Sequence, residues 1–432
     1  MSVERYVDYK KSGISLVPYI PLEWESKPLK FIADCNSRVL SESTDEGAEI
    51  TYIDISSVSY GQGVCNTQEF TFANAPSRAR RVVKSGDTII STVRTYLKAI
   101  AYISDEYDSY ICSTGFAVFT PKKGVNSRFL FYALNADWFV SDVERHSVGI
   151  SYPAITSTAL SSLKTILPPF DGQEKIVAYL DRRTAEIDGL LADLHTQAKM
   201  LERYKRELIA NAVTHGLDKA APRKDSGVDW IGDIPAHWTI TKTKWMFEIV
   251  KRIYGKEDRD VLSITQRGIK VKDIESNEGQ LAESYTSYQV VNMNDFAMNS
   301  MDLLTGWVDC SPFEGVTSPD YRVFRFHTSK QQCHNYYKYL FQMCYKSRIF
   351  YRLGQGVSNL GRWRLQADQF LNMQLPQPPI DEQEKIAAYL DNRTSEVEGL
   401  LADIHMQIEK LKQYRKIVIN DAVTGKIKVT EG

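Results

Sequence analysis

The chain carries a long stretch of its own sequence twice. Residues 168–214 read PPFDGQEKIVAYLDRRTAEIDGLLADLHTQAKMLERYKRELIANAVT, and residues 378–424 read PPIDEQEKIAAYLDNRTSEVEGLLADIHMQIEKLKQYRKIVINDAVT. The offset is 210 without a gap, and 27 of 47 positions are identical. A shorter lead-in motif repeats at offset 214: Ser12-Gly13 runs on to Ile20-Pro21 and Trp24, and Ser226-Gly227 to Ile234-Pro235 and Trp238. An internal period of this length makes the chain two copies of one unit. Each copy has a lead-in motif, a variable region and a repeated segment. The length of 432 residues suits two to three domains.

Each repeated segment is predicted to be a long helix. Pro168-Pro169 and Pro378-Pro379 bar helix before it, and Asp171 with Glu174, like Asp381 with Glu384, has the spacing of a capping box. Gly216 and Gly425 stand just past the far ends, where a left-handed stop is needed. Gln173 to Val213 covers 41 residues, or roughly 60 Å at helical rise. The apolar period inside is seven. Leu180, Ile187, Leu194, Leu201 and Leu208 form one seam, and Leu390, Val397, Ile404, Leu411 and Val418 form its copy. Leu191, Ala198, Leu401 and Ile408 accompany them four positions on. Heptads sustained this long indicate a coiled coil, and two matched helices in one chain most simply pair antiparallel with each other. The bland alternative is two helices, each lying on its own globular domain.

The variable regions, about 26–167 and 240–377, have short β-branched runs such as Asp87–Arg94 and Phe116–Phe119, punctuated by turn residues. They align weakly with one another. Val82-Val83 before Gly86-Asp87 matches Val290-Val291 before Asn294-Asp295, Thr114 to Phe119 matches Ser318 to Phe324, and helical stretches follow at Phe129–Trp138 and Tyr336–Tyr345. The predicted class is therefore α+β: two similar mixed domains separated by two long helices forming an antiparallel coiled coil, with pseudo-twofold symmetry. The expected boundaries are 1–167, 168–216, 217–377 and 378–432.

Two similar heads on a stiff spacer would suit a duplex carrying two short half-sites, and heads with different surfaces would read different halves. Net charge is only −1, so a basic surface must be local. Residues 240–365 hold 18 Lys and Arg against 13 Asp and Glu. Residues 26–150 hold 13 against 14, yet the stretch 78–98 is +5, with Arg78, Arg80, Arg81, Lys84, Arg94 and Lys98 against Asp87 alone. Cations release counterions from phosphates, and arginine can grip guanine with two hydrogen bonds. Tyr96 and Gln62 join the first set of DNA-binding candidates; Gln266, Arg267, Lys270, Lys272, Arg322, Arg362 and Arg364 make the second. For any single one of these, a solvated surface charge is the default.

The paired PP-x-D-x-QEKI-x-AYLD-x-RT segments, the GLLAD helices after them and the Ile-Pro-x-x-Trp motif resemble, over essentially the whole chain, the specificity subunit of type I restriction-modification systems. The resemblance implies two target recognition domains, each reading half of an asymmetric bipartite DNA site, and a coiled coil that sets the unread gap. It implies two modification subunits that methylate adenine N6 with S-adenosylmethionine, and two restriction subunits that use ATP and magnesium. It implies no catalysis, cofactor or metal in this chain. The second copy departs slightly, ending Thr424-Gly425 where the first has Thr214-His215-Gly216.

The residues agree. Leu167-Pro168-Pro169-Phe170 lacks the polar side chain with which an adenine methyltransferase loop holds its target, and Gln377-Pro378-Pro379-Ile380 lacks the aromatic. No GxxxxGK[ST] loop is present, and Gly61-Gln-Gly63 and Gly354-Gln-Gly356 read as turns. Pro319-Asp320 has no nuclease partners downstream, and His195 and His405 read as packing or partner contacts. The six cysteines include no CxxC pair and read as free thiols, Cys333-His334 with Cys344 included. The N-terminus has no apolar signal core and no run approaches a membrane span, so a cytoplasmic protein is expected. Two other classes stay open: an adaptor whose heads bind proteins, and an enzyme with a cryptic site.

Overall fold

A computed structural model describes residues 4–273, 282–328, 331–355 and 363–430. The chain folds into two compact units, 1–194 with 406–432, and 195–405. The division cuts both long helices near their middles rather than falling at the start of each repeated segment. Each unit thus holds one head, half of the first long helix and half of the second.

The first unit opens on a hairpin, Tyr9–Ile14 with Val17–Pro21. Its head has a four-stranded antiparallel sheet in the order Ile100–Tyr102, Thr88–Ser91, Phe116–Pro121, Ala33–Cys35. A second sheet runs Gln68–Thr71, Glu49–Ile53, Ile111–Ser113, Ala79–Val82, and Ile111–Ser113 lies parallel to Glu49–Ile53. The second unit repeats the plan. Its hairpin is Arg223–Asp225 with Asp233–Pro235. Its main sheet runs Val308–Cys310, Phe296–Met298, Arg322–Phe326, Phe247–Val250, in the same order and sense. The second sheet is looser. Leu262–Thr265 pairs with Gly268–Val271 and Gln289–Val291 with Gly315–Thr317, while the parallel link shrinks to one bridge, Val261 to Val316.

The weak alignment of the variable regions therefore reports a shared fold, and a buried ion pair explains part of it. Asp87 accepts the Lys84 amide (2.8 Å) and pairs with Arg38; Asp295 accepts the Asn292 amide (2.8 Å) and pairs with Arg252. Both acids are nearly inaccessible, so each needs its cation and its amide. The left-handed backbone at Gly86 (φ +89°) and Asn294 (φ +69°) makes the turn. Of the expected helical stretches, the second is one helix, His334–Lys346. The first is two, Ser127–Leu134 and Asp137–Arg145, because the chain leaves helical geometry at Ala136 after Asn135, a poor helix former.

The long helices run Phe170–His215 and Ile380–Val423. In the first unit Arg183 donates to the Tyr414 hydroxyl (3.1 Å) and Arg415 to Asp188 (3.1 Å). In the second unit the equivalent pairs are Arg393 to Tyr204 (3.3 Å) and Lys205 to Glu398. The start of one helix lies beside the end of the other in each unit, which is antiparallel pairing. The heptad seam faces inward. Leu180, Ile187, Leu390, Val397, Ile404 and Val418 are buried, and Leu194, Leu201, Leu208 and Leu411 are half-buried.

The helix starts differ from the expected capping box. Pro169 and Pro379 take the cap position, their carbonyls accepting the Gln173 and Gln383 amides at 3.0 Å, so Asp171 and Asp381 fall inside the first turn. The clamps are the buried glutamine side chains. Gln173 donates to the Pro168 carbonyl (2.9 Å) and accepts from the Asn126 amide (2.8 Å); Gln383 donates to Pro378 (2.9 Å) and accepts from the Cys333 amide (3.0 Å). Truncating either strands buried polar groups. Gln173→Ala and Gln383→Ala should each cost about 1–3 kcal/mol in urea unfolding, whereas Lys385→Ala on the exposed face should change little.

The helix ends bring the lead-in motifs into play. Gly216 (φ +72°) lies against Trp238 and Pro235, and Gly425 (φ +70°) against Pro21 and Trp24. Each Ile-Pro-x-x-Trp motif therefore closes the far end of the helix belonging to the other copy. In the first unit Tyr9 also donates to the Gly425 carbonyl (2.9 Å). Among the described residues no helix is long and apolar enough to cross a membrane.

Candidate nucleic-acid interface

Each head presents a loop after the second strand of its main sheet, braced against a returning segment. In the first head this loop is Thr92–Lys98. Ile155 donates to the Thr92 carbonyl (2.9 Å), and Val93 bridges Ala154. In the second head the loop is Asn299–Gly306. Leu365 donates to the Ser300 carbonyl (3.0 Å) and Leu303 to Trp363 (3.3 Å). The frame is shared, but the chemistry on it is not. The first loop carries Arg94 and Lys98, with Tyr96 and Leu97 exposed between them. The second carries no Lys or Arg; Asp302 accepts the Leu304 and Thr305 amides at 3.0 Å, and Leu304 is exposed.

The candidate residues of the first head divide in two. Arg94 sits at a left-handed position (φ +50°), exposed, with its guanidinium 5.1 Å from the Tyr152 ring centre. Lys98 lies 5.8 Å over the Tyr60 ring and 3.6 Å from Glu144. Gln62 is exposed in the turn beyond Tyr60, between the left-handed glycines Gly61 and Gly63. These three and Tyr96 form one neighbourhood. The other four belong to the second sheet and its exit turn. Arg78 is exposed, Arg80 lies 5.0 Å over Phe72, and Arg81 reaches the Thr114 carbonyl. Lys84 is held by Asp108 (3.2 Å) and Ser109 (2.6 Å). The run of positive charge in the sequence is thus spread over two places.

In the second head Gln266 and Arg267 occupy the tip of the Leu262–Val271 hairpin, and the Gln266 amide donates to the Thr305 carbonyl (3.2 Å), joining hairpin to loop. Lys270 is exposed on the hairpin's second strand, and Lys272 is half-buried just after it. Asp309 sits beneath. It accepts the Ile269 amide (3.3 Å) and the Gln342 side chain (3.2 Å), and burial raises its carboxyl pKa. Arg322 points inward. It donates to the Leu365 carbonyl (2.6 Å), lies 5.2 Å over Phe370, and burial pulls its pKa down to about 10. Its geometry is that of an internal brace for the returning segment. Arg364 is exposed and its backbone bridges Gln355; Arg362 and Gly356 lie outside the described residues.

Residue types alone pointed to cations and missed the finger beside Arg94. Val148 and Ala154 exchange backbone hydrogen bonds (2.8 and 3.0 Å) around a five-residue turn, leaving Val148, Ile150 and Tyr152 exposed. A sequence signal did exist. Gly149-Ile150-Ser151 has a counterpart in Gly356-Val357-Ser358, on segments that follow equivalent helices.

Among the described residues no group of three or more His, Cys, Asp or Glu side chains could hold a metal. Cys344 is buried among aromatic rings, and burial raises its thiol pKa. The repeated AYLD-x-RT residues dock the heads on the helices. Tyr132 donates to Asp181, and Tyr339 donates to Asp391 (2.7 Å), with Thr184 and Thr394 3.3 Å from the respective hydroxyls.

A profile of the type I restriction modification DNA specificity domain matches residues 21–197. The putative type I restriction enzyme MjaX specificity subunit of Methanocaldococcus jannaschii is 22% identical, over 98% of this chain and 97% of its own length. The MjaVIII specificity subunit of the same organism is 21% identical, over 71% of this chain and 72% of its own. One solved structure, from a study of complex assembly and conformational transition of the type I R-M system, superposes with TM-score 0.72 at 20% identity, covering 94% of this chain and 99% of that one. The HsdS subunit of Thermoanaerobacter tengcongensis gives 0.50 at 20% identity, over 94% and 98%. The matched profile over the first head, a relative aligned from end to end and the shared fold agree with what the doubled lead-in, head and helix imply: the chain is similar along its whole length to the specificity subunits of type I restriction-modification systems.

Proposed function

We propose that the two heads read the two different halves of one asymmetric, bipartite DNA site. The observation that carries this reading is the pair of equivalent loops with opposed chemistry, Thr92–Lys98 basic and aromatic, Asn299–Gly306 without a cation. Similar frames with unlike side chains suit unlike half-sites. The heptad-matched helices suit a fixed spacer between them. Their outer faces suit partner subunits. In the first unit Leu190, Tyr414 and Ile417 are exposed, and in the second unit Met200, Tyr204 and Leu400. Apolar side chains repeated on a helix surface favour docking by another apolar helix. On this reading two modification subunits seat there and methylate adenine N6 with S-adenosylmethionine. Two restriction subunits bring ATP and magnesium chemistry to the same complex.

The decisive experiment co-expresses the chain with its modification subunit in a host lacking adenine methylation and maps N6-methyladenine by single-molecule sequencing. One two-part motif with a fixed gap, absent without this chain, is expected. No motif from an assembled complex would sink the reading in favour of a protein-binding adaptor. Arg94→Ala should weaken recognition of one half-site only, by about 1–3 kcal/mol for a base contact. Equal loss on all sequences would make Arg94 a phosphate contact. Leu194→Asp, a charge placed on the seam, should damage folding or assembly and leave the choice of half-site unchanged.

A further inference from the structure

Ile150 is the most exposed large apolar side chain of the described residues, at 104% of its reference area, with Val148 at 81% and Tyr152 at 66%. The backbone holding it is tied down on every side. Val148 and Ala154 are bonded in both directions, and Ala154 also bridges Val93. The Thr95 amide reaches the Pro153 carbonyl (3.4 Å), and the Thr95 hydroxyl reaches Ser147 (2.9 Å). Gly149 stands at φ +115° with its missing Cβ 3.0 Å from the Tyr152 carbonyl, so the turn admits no side chain there. The finger therefore cannot fold its isoleucine back onto the head without breaking these bonds. A rigid apolar tip gains only from an apolar counterpart brought to it.

The surroundings say which. Arg94 lies 5.1 Å from the Tyr152 ring at the finger's flank, so a guanidinium stands beside the apolar tip. A partner that is anionic outside and apolar within matches this arrangement: a DNA groove, walled by phosphates and floored by thymine methyls and base faces.

We propose that Ile150 is a specificity-determining residue that makes a direct apolar contact with a base of the half-site read by the first head. The proposal rests on the DNA-reading function above. The contacted surface is either a thymine C5-methyl in the groove or the face of an opened base step, and one set of duplexes separates these.

The complete complex with modification subunits is titrated with a duplex bearing the mapped site. Ile150→Ala should weaken binding about tenfold, while Ile150→Leu stays within about threefold. Changing the second half-site should cost wild type and Ile150→Ala equally. Thymines of the first half-site are then replaced singly by deoxyuridine, which removes only the methyl. A loss at one position that disappears in Ile150→Ala identifies the methyl. A 2-aminopurine fluorescence rise at one step, abolished in Ile150→Ala, identifies the opened step. Wild-type affinity in Ile150→Ala overturns the inference while the DNA-reading function stands. So does weakened assembly with the modification subunit in the absence of DNA, which would make the finger a protein contact. No sequence preference by the wild-type complex removes the DNA-reading function itself.

Discussion

Inserting seven residues after Leu194 and seven after Ile404 is expected to widen the unread gap of the methylated motif by about three base pairs, leaving both half-sites unchanged. The two positions are equivalent, 210 residues apart, and both lie on the heptad seam. Seven helical residues add roughly 10 Å, and a base pair rises about 3.4 Å. A full heptad returns every seam residue to its face, so the pairing that buries Ile187 and Val397 is retained. Four residues after Leu194 alone would add about 6 Å, or one to two base pairs, and would also turn the following seam away from its partner. That variant should shift the gap but lose stability. The methylation map reads the gap and urea unfolding reads the seam. An unchanged gap in the double-heptad variant would remove the helices as the ruler.

Gly425→Val is expected to be the most damaging single substitution at a helix end, costing about 3 kcal/mol or more, from left-handed strain plus overpacking. Gly425 holds φ +70°, and a Cβ there would run into Pro21 Cγ and stand 3.2 Å from the Trp24 ring. A proline ring held in a hairpin and a tryptophan buried to 2% cannot move aside cheaply. Gly216→Val meets the same strain but a looser contact, 3.1 Å from Trp238, and should cost about half as much. Gly227→Ala is the control. Its φ is +69° with nothing within 4 Å, so it reports backbone strain alone. Equal losses at Gly425 and Gly227 would show that the packing of the lead-in motif on the helix end contributes nothing.

Local periodicity made the helices legible. A seven-residue apolar repeat with proline before it and glycine after it admits few other structures, and the buried seam is the one written in the sequence. The capping box misled because a Pro-Pro step can itself serve as the cap. Pro169 and Pro379 take the cap two residues before Asp171 and Asp381, and the buried Gln173 and Gln383 do the anchoring. The heads were legible as one fold because their strands keep the same order of β-branched and turn residues. Their surfaces were much less so. Charge composition marks cations without saying where they point. It could not separate Arg94, exposed against Tyr152, from Arg322, turned onto Phe370 and the Leu365 carbonyl. Nor could it favour Ile150, because an isoleucine is ordinarily read as core.

Features that depend on neighbours along the chain can be read from the residues: two copies, two long helices, their seam, their stops and the α+β heads between them. Contacts between residues hundreds of positions apart are settled by the packed molecule. It set which lead-in motif closes which helix, with Pro21 and Trp24 on Gly425 and Tyr9 bonded to the same residue. It set which loop of each head is braced outward, and which charges are spent inside. Those choices follow from the path of the chain and from the burial of partners far apart in sequence, and no local pattern of residues encodes either.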